Sequence, residues 1–257
     1  MSGVILFING KLGIDTIQSV SRNPNFYISA IVLGSKHRNK SNYFYEIEST
    51  KIVKNNQTPI FFFGENLFQE LADSNVLKNT VLGISALFRH VFPKTFIDMV
   101  DFPIVNLHPS LLPIGRGADP IPWAIIDEQA VGVTIHKVDE GLDTGKVIAQ
   151  RIIPTDLGKT AGDIYIVAME QLLILLEELL KDWPHSYVET DQIGQPSLHR
   201  TSDLANLRHD ILSDGSDLEK FVRIVQALTF NNGMGAKIRG RDGKVWNIKV
   251  IATQEEF

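Results

Sequence analysis

The sequence predicts an α/β fold: a mostly parallel sheet covered by helices, then a small C-terminal helix-and-hairpin appendage. Three observations carry this reading. Short apolar runs alternate with helically spaced apolar residues through residues 4–108. Two β-rich runs and one long amphipathic stretch follow, at 131–154 and 160–181. A separate helix signal and an Asp242-Gly243 turn signal close the chain. Strands that alternate with helices imply parallel pairing with crossovers on both faces.

The elements follow in order. Residues 4–8 are a buried apolar strand closed by Asn9-Gly10. Leu12, Ile14, Ile17 and Val20 recur at helical spacing. Residues 27–33 and 60–63 read as strands, and 65–78 as a helix with Leu67, Phe68, Leu71 and Val76 on one side. Residues 80–84 are a fourth strand and 93–100 a short helix. Its early proline gives up a donor that has no partner there anyway. Residues 103–108 are a fifth strand. Residues 131–139 and 146–154 form a β-rich pair around a loop at 140–145. Thr160 and Asp163 resemble a capping box opening a helix to 181, with Ile164, Val167, Leu172, Leu175, Leu176 and Leu179 inside. Ser216 and Glu219 form a second such box. The helix after it buries Leu218, Phe221, Val222, Val225 and Leu228, and residues 236–251 make a hairpin.

Composition narrows the function. The chain has 257 residues, no cysteine and a net charge of −5. Without cysteine there is no disulfide framework, no thiolate metal site and no thiol nucleophile. The apolar run 172–176 is far short of the roughly 20 residues of a membrane span. The N-terminus has no basic lead-in or cleavage pattern, so a cytoplasmic protein without a membrane anchor is expected. The acidic balance argues against a dedicated nucleic-acid binder.

The chemistry concentrates near Asn106-Leu107-His108-Pro109-Ser110-Leu111-Leu112-Pro113. Asn106 and His108 are two apart on a strand, so their side chains face the same way. They sit at its C-terminal end, where open α/β sheets bind ligands. An amide can donate to a developing oxyanion, and an imidazole can donate or move a proton. The pair reads equally as a turn cap beside a structural histidine. Asp143, on Leu142-Asp143-Thr144-Gly145, could hold the imidazole's tautomer or accept a proton, or could be a turn aspartate before a glycine.

Taken together, Asn106-x-His108-Pro-Ser-Leu-Leu-Pro, Arg116-Gly117-x-x-Pro120, Gly132-Val133-Thr134-Ile135-His136 and Leu142-Asp143-Thr144-Gly145 resemble the tetrahydrofolate-dependent formyltransferase family. The likeness is dense over 82–154 and closest to the nucleotide-linked amino-sugar N-formyltransferases. The resemblance implies a Rossmann-like core with formyltetrahydrofolate as donor and no metal. It implies a catalytic set of Asn106, His108 and Asp143. It places folate against Phe88, Arg89, His90 and Val91, mainly through backbone, and against Asp139 and Gly141. Gly10, Lys11, Ser110, Arg116 and Trp123 are the candidate acceptor contacts, although Trp123, beside Ala124-Ile125-Ile126, suits a core equally. His136 is read as structural.

The expected organisation is a catalytic domain at 1–185, a linker at 186–203 and a small domain at 204–257 for dimerisation or acceptor binding. The acceptor expected is a dTDP- or GDP-linked amino-deoxy sugar, as in O-antigen or surface polysaccharide synthesis, and the protein a homodimer through its C-terminal region. The alternative is an enzyme similar to methionyl-tRNA formyltransferase. Lys237, Arg239, Arg241, Lys244 and Lys249 speak for it, since a basic hairpin attracts phosphates. The same residues could form a solvated face or meet a nucleotide-sugar diphosphate.

Overall fold

The computed structural model describes residues 1–34, 47, 53, 58–155, 159–207, 218–230, 235–239 and 244–251. Its elements run β1 (Ser2–Ile8), α1 (Gly10–Arg22), β2 (Phe26–Leu33), β3 (Ile60–Phe62), α2 (Leu67–Asp73), a 3-10 turn (Asn75–Leu77), β4 (Thr80–Ala86), α3 (Lys94–Met99), β5 (Ile104–His108), β6 (Arg116–Gly117) and α4 (Pro120–Ile126). There follow β7 (Gly132–Lys137), β8 (Val147–Ile152), α5 (Ala161–Lys181), β9 (Leu198–His199), α6 (Thr201–Leu207), α7 (Leu218–Leu228), β10 (Ala236–Arg239) and β11 (Val245–Ile248).

The main sheet has the order β3-β2-β1-β4-β5-β7-β8. Its first five strands are parallel. The chain steps outward from β1 to β3, then returns beside β1 as β4, so the crossovers reverse between β1 and β4. The carboxyl ends of the strands at such a reversal are the usual ligand position in sheets of this kind. Val138 N donates to Ile104 O at 2.7 Å, so the end of β7 lies beside the start of β5. Lys137 N bonds Lys146 O, and Ile153 N bonds Val131 O. Residue number rises on one strand as it falls on the other, which makes β7 and β8 antiparallel.

Local chemistry sets the helix ends. Asn9 Oδ1 accepts from Gly10 N at 3.0 Å and caps α1. Gly10 has φ +61°, a backbone state that glycine adopts without steric cost. The helix expected at 65–78 is shorter. Ser74 Oγ donates to Leu71 O at 2.7 Å, a side-chain bond that competes with the helical ladder, and a 3-10 turn follows. The capping box of α5 is present: Thr160 N donates to Asp163 Oδ2 at 3.0 Å, and Asp163 N to Thr160 Oγ1 at 3.3 Å.

The chain divides into two compact units. The first comprises Met1–His108, Ile135–Ala149 and Leu172–Gln192. Its core joins β-strand residues Ile5, Phe7, Ala30 and Val32 to Phe88, Phe92 and Phe96. Phe7 meets Phe92 edge-on at 4.8 Å between ring centres, a favoured aromatic geometry. The second comprises Pro109–Thr134, Gln150–Gln171 and Ile193–Phe257. Its small core is Leu204, Ile224, Val225, Leu228 and Ala236, with Trp123, Ile126 and Phe221 packed against it.

One helix face differs from expectation. In α7, Leu218 is 74% exposed and Val222 39%. The packed stripe is centred on Phe221, Ile224, Val225 and Leu228. At 3.6 residues per turn, Leu218 and Val222 lie at its margin and turn outward. The hairpin β10–β11 is antiparallel, with Ile238 opposite Trp246. Ser216, Asp217, Arg241 and the Asp242-Gly243 turn lie outside the described residues. Residues 186–203 contain β9 and the start of α6. No helix among the described residues is long and apolar enough to cross a membrane.

Candidate active site

The first unit gathers Asn106, His108 and Asp143. Parallel register sets Ser85 of β4 opposite Asn106 of β5, and Ser85 Oγ donates to Asn106 Oδ1 at 2.8 Å. That bond turns the amide so that Nδ2 faces two further groups. It is 3.1 Å from His136 Nε2 and donates to Asp143 Oδ1 at a long 3.5 Å. His108 Nδ1 is 3.8 Å from Asp143 Oδ2, and His136 Nε2 is 3.4 Å from Asp143 Oδ1. The two imidazoles stand edge-to-face, 5.9 Å apart. His108 and His136 are buried, while the Asp143 side chain keeps 12% of its surface. An amide, two imidazoles and a carboxylate in such a partly desolvated place can orient a nucleophile, stabilise an oxyanion and shuttle a proton.

The loop that presents Asp143 is held at several points. Asp143 has φ +53°, a left-handed state that aspartate tolerates better than most residues. Asp139 Oδ1 accepts from Gly141 N at 3.1 Å and from Thr144 Oγ1 at 2.7 Å. Gln192 Nε2 donates to Asp143 O at 2.9 Å and to Gly145 O at 2.8 Å. A Cβ on Gly145 would lie 1.8 Å from Lys137 O, so only glycine lets the loop close on β7. Behind it Lys137 Nζ bonds Glu189 Oε1 at 2.8 Å. That bond, above all, holds the Glu189 carboxyl below its ordinary value. Burial, reinforced by Glu189, raises the Tyr187 phenol.

The other expected contacts are placed as follows. Phe88 is in the aromatic core. His90 stacks on Phe63 with ring centres 3.6 Å apart, and its Nε2 is 2.7 Å from Gly34 O. Arg89 and Val91 are exposed. Asp139 and Gly141 bond within their own loop. Gly10 opens α1, and Lys11 pairs with Asp15 on the same helix. Ser110, Arg116 and Trp123 belong to the second unit. Ser110 Oγ is buried without a partner. Arg116 starts the short strand β6. Trp123 lies flat on His199, 3.9 Å between centres.

Sequence reasoning missed Ser85, His136 and Gln192. His136 shares a strand face with Thr134, which signals a common side but no chemistry. Gln192 lies 49 residues from Asp143, so no local pattern reveals it. Among the described residues, His108, His136 and Asp143 also form a group whose ligand atoms lie within 4.8 Å of one another. That spacing could admit a divalent cation.

A family model described as formyl transferase matches residues 19–180. The chain belongs to the formyl transferase family. The matched span holds Asn106, His108, His136 and Asp143 and ends before Gln192. A methionyl-tRNA formyltransferase of Agathobacter rectalis is 29% identical over 184 residues, 70% of this chain and 58% of that protein. The alignment thus covers little more than half of that relative. The dTDP-4-amino-4,6-dideoxyglucose formyltransferase of Mycobacterium tuberculosis is 31% identical over 166 residues, 64% of this chain and 70% of that protein. A solved sugar N-formyltransferase from Shewanella superposes with a TM-score of 0.80 at 20% identity, over 100% of both chains. The chain therefore shares that protein's fold.

Proposed function

We propose that this chain transfers a formyl group from formyltetrahydrofolate to the amine of a dTDP- or GDP-linked amino-deoxy sugar. The observation that carries it is the convergence of Asn106, His108 and Asp143 at the C-terminal end of β5. The 31% identity to an enzyme named for a dTDP-amino sugar supports the acceptor class. The products of such a reaction suit O-antigen or other surface polysaccharide synthesis, in the cytoplasm.

The neutral amine attacks the formyl carbon and a C–N bond forms. His108, as an imidazolium, and one N–H of Asn106 Nδ2 stabilise the oxyanion. Asp143 supports the imidazolium and takes the proton from the attacking amine, directly or through water. The intermediate then collapses: the bond to the folate nitrogen breaks, and that nitrogen leaves with the proton that Asp143 took from the amine. This balance requires no metal. Backbone near Phe88, Arg89, His90 and Val91 receives the folate, with the loop at Asp139 and Gly141 opposite. Gly10, Lys11, Ser110, Arg116 and Trp123 contact the acceptor. The buried, unpartnered Ser110 hydroxyl is consistent with a polar ligand there. Residues 1–185 act as the catalytic domain, 186–203 as linker and 204–257 as a small domain for dimerisation or acceptor binding.

The test is turnover with formyltetrahydrofolate over a panel of nucleotide-linked amino sugars and charged initiator methionyl-tRNA. Formylated sugar is expected from the wild type, and Asp143→Asn should lose most of that activity while staying folded. Near-normal turnover by Asp143→Asn would sink the residue assignment. Formylation of the tRNA alone would favour the second acceptor, to which the 29% identity points. Formate without acceptor would indicate a hydrolase.

A further inference from the structure

We propose that His136 is a positioning residue for Asn106. It holds the amide through Nε2, which accepts from Asn106 Nδ2 while Nδ1 faces the Lys137 carbonyl. The inference rests on the reading of Asn106 as oxyanion donor.

The hydrogen-bond chain orients the ring. His136 Nδ1 is 2.9 Å from Lys137 O. A carbonyl only accepts, so Nδ1 carries the hydrogen. In the neutral ring Nε2 is then a bare lone pair. It faces Asn106 Nδ2 at 3.1 Å and accepts one of its hydrogens. At the other end of the amide, Ser85 Oγ donates to Oδ1. The flipped amide would aim Oδ1 at the Asp143 carboxylate, acceptor against acceptor. Ser85 and His136 therefore grip Asn106 from opposite ends, and the register of β4 with β5 fixes one of those ends.

The grip leaves the amide's second hydrogen for chemistry. It is directed at Asp143 Oδ1 over 3.5 Å, a weak contact that an oxyanion at normal distance would displace. Protonation of His136 would set two donors against each other at Nε2 and Nδ2, and the new N–H would turn to Asp143. Among the described residues, the charged and titratable groups facing the ring are Asp143 from the loop after β7 and His108 from β5. Lys137, next on its own strand, is committed to Glu189. Loss of the grip misaligns the oxyanion donor without touching substrate binding, and a shift of about 1 Å in such a group can cost ~100-fold.

The test has two parts. Nitrogen-15 NMR of the imidazoles in the wild-type protein reads the tautomer directly, without any assay. A protonated Nδ1 and bare Nε2 for His136 are expected in the folded wild-type protein. The opposite tautomer, or an imidazolium there, overturns the proposal. Separately, His136→Leu should lower kcat by about 10- to 100-fold with little change in KM. His136→Gln, whose carbonyl oxygen can accept from Asn106, should recover most of it. Unchanged kcat in His136→Leu, or equal loss in both folded variants, overturns it too. If neither variant folds, the NMR result decides. If the wild type formylates no acceptor, the functional reading fails while the tautomer measurement still stands on its own.

Discussion

Asn106 carries two hydrogens on one nitrogen, and the site holds them unequally. One is spent at 3.1 Å on His136, while the other is loosely directed at Asp143. Deleting the amide removes both the donor and its alignment. Asn106→Ala should therefore lose about 10²–10³ in kcat, the usual effect of removing one oxyanion donor, with the circular-dichroism spectrum unchanged. Ser85→Ala takes the hydroxyl from Asn106 Oδ1 in a buried place. We expect a modest stability loss of about 1 kcal/mol by urea denaturation, and a larger relative fall in kcat because the amide can then turn over. The imidazole and carboxylate atoms have the spacing of a cation site, yet the proposed reaction does not use one. EDTA should leave turnover unchanged, and added Zn²⁺ should suppress it by taking the lone pairs of His108 and Asp143. Lost activity in EDTA would contradict the metal-free balance.

At the scale of elements, the Asp143 loop and the head of α5 make separate predictions. Gln192 holds the carbonyls of Asp143 and Gly145 from a distant segment. Gln192→Ala should lower kcat several-fold while the melting temperature moves little, since only one loop loses its tie. In the α5 capping box, the Thr160 hydroxyl, chiefly, holds the Asp163 carboxyl below its ordinary value. Its folded value thus lies below the unfolded one of about 3.9. The stabilisation is full above that unfolded value and fades as pH falls through the folded one. Thr160→Ala should cost about 1 kcal/mol at neutral pH. It should also flatten the acid dependence measured by urea melts at pH 7 and pH 3. This box was legible in sequence because its partners are three residues apart, and the strand Asn106–His108 because period two fixes a face. Ser85 and Gln192 were not legible: register across strands, or a single long-range bond, brings them in. The outward turn of Leu218 and Val222 was missed because an apolar stripe does not reveal which part of it a partner helix covers.

On the scale of the whole molecule, the β10–β11 hairpin leaves Val245 and Trp246 more than half exposed. Large exposed apolar side chains of this kind suit a partner surface, and the homodimer proposed for the C-terminal region would cover them. Trp246→Glu should convert a dimer to a monomer by light scattering, with turnover per site largely kept if the catalytic set lies within one chain. A monomeric wild type would remove that part of the proposal. The chain's three tryptophans also stand in three different settings. Trp183 stands edge-on to Tyr187 in the first unit, Trp123 lies flat under His199 in the second, and Trp246 faces solvent on the hairpin. Each indole can thus serve as a local optical reporter. Emission from single-tryptophan versions, followed through a denaturant series, would show whether hairpin and two cores lose their colour together or in sequence.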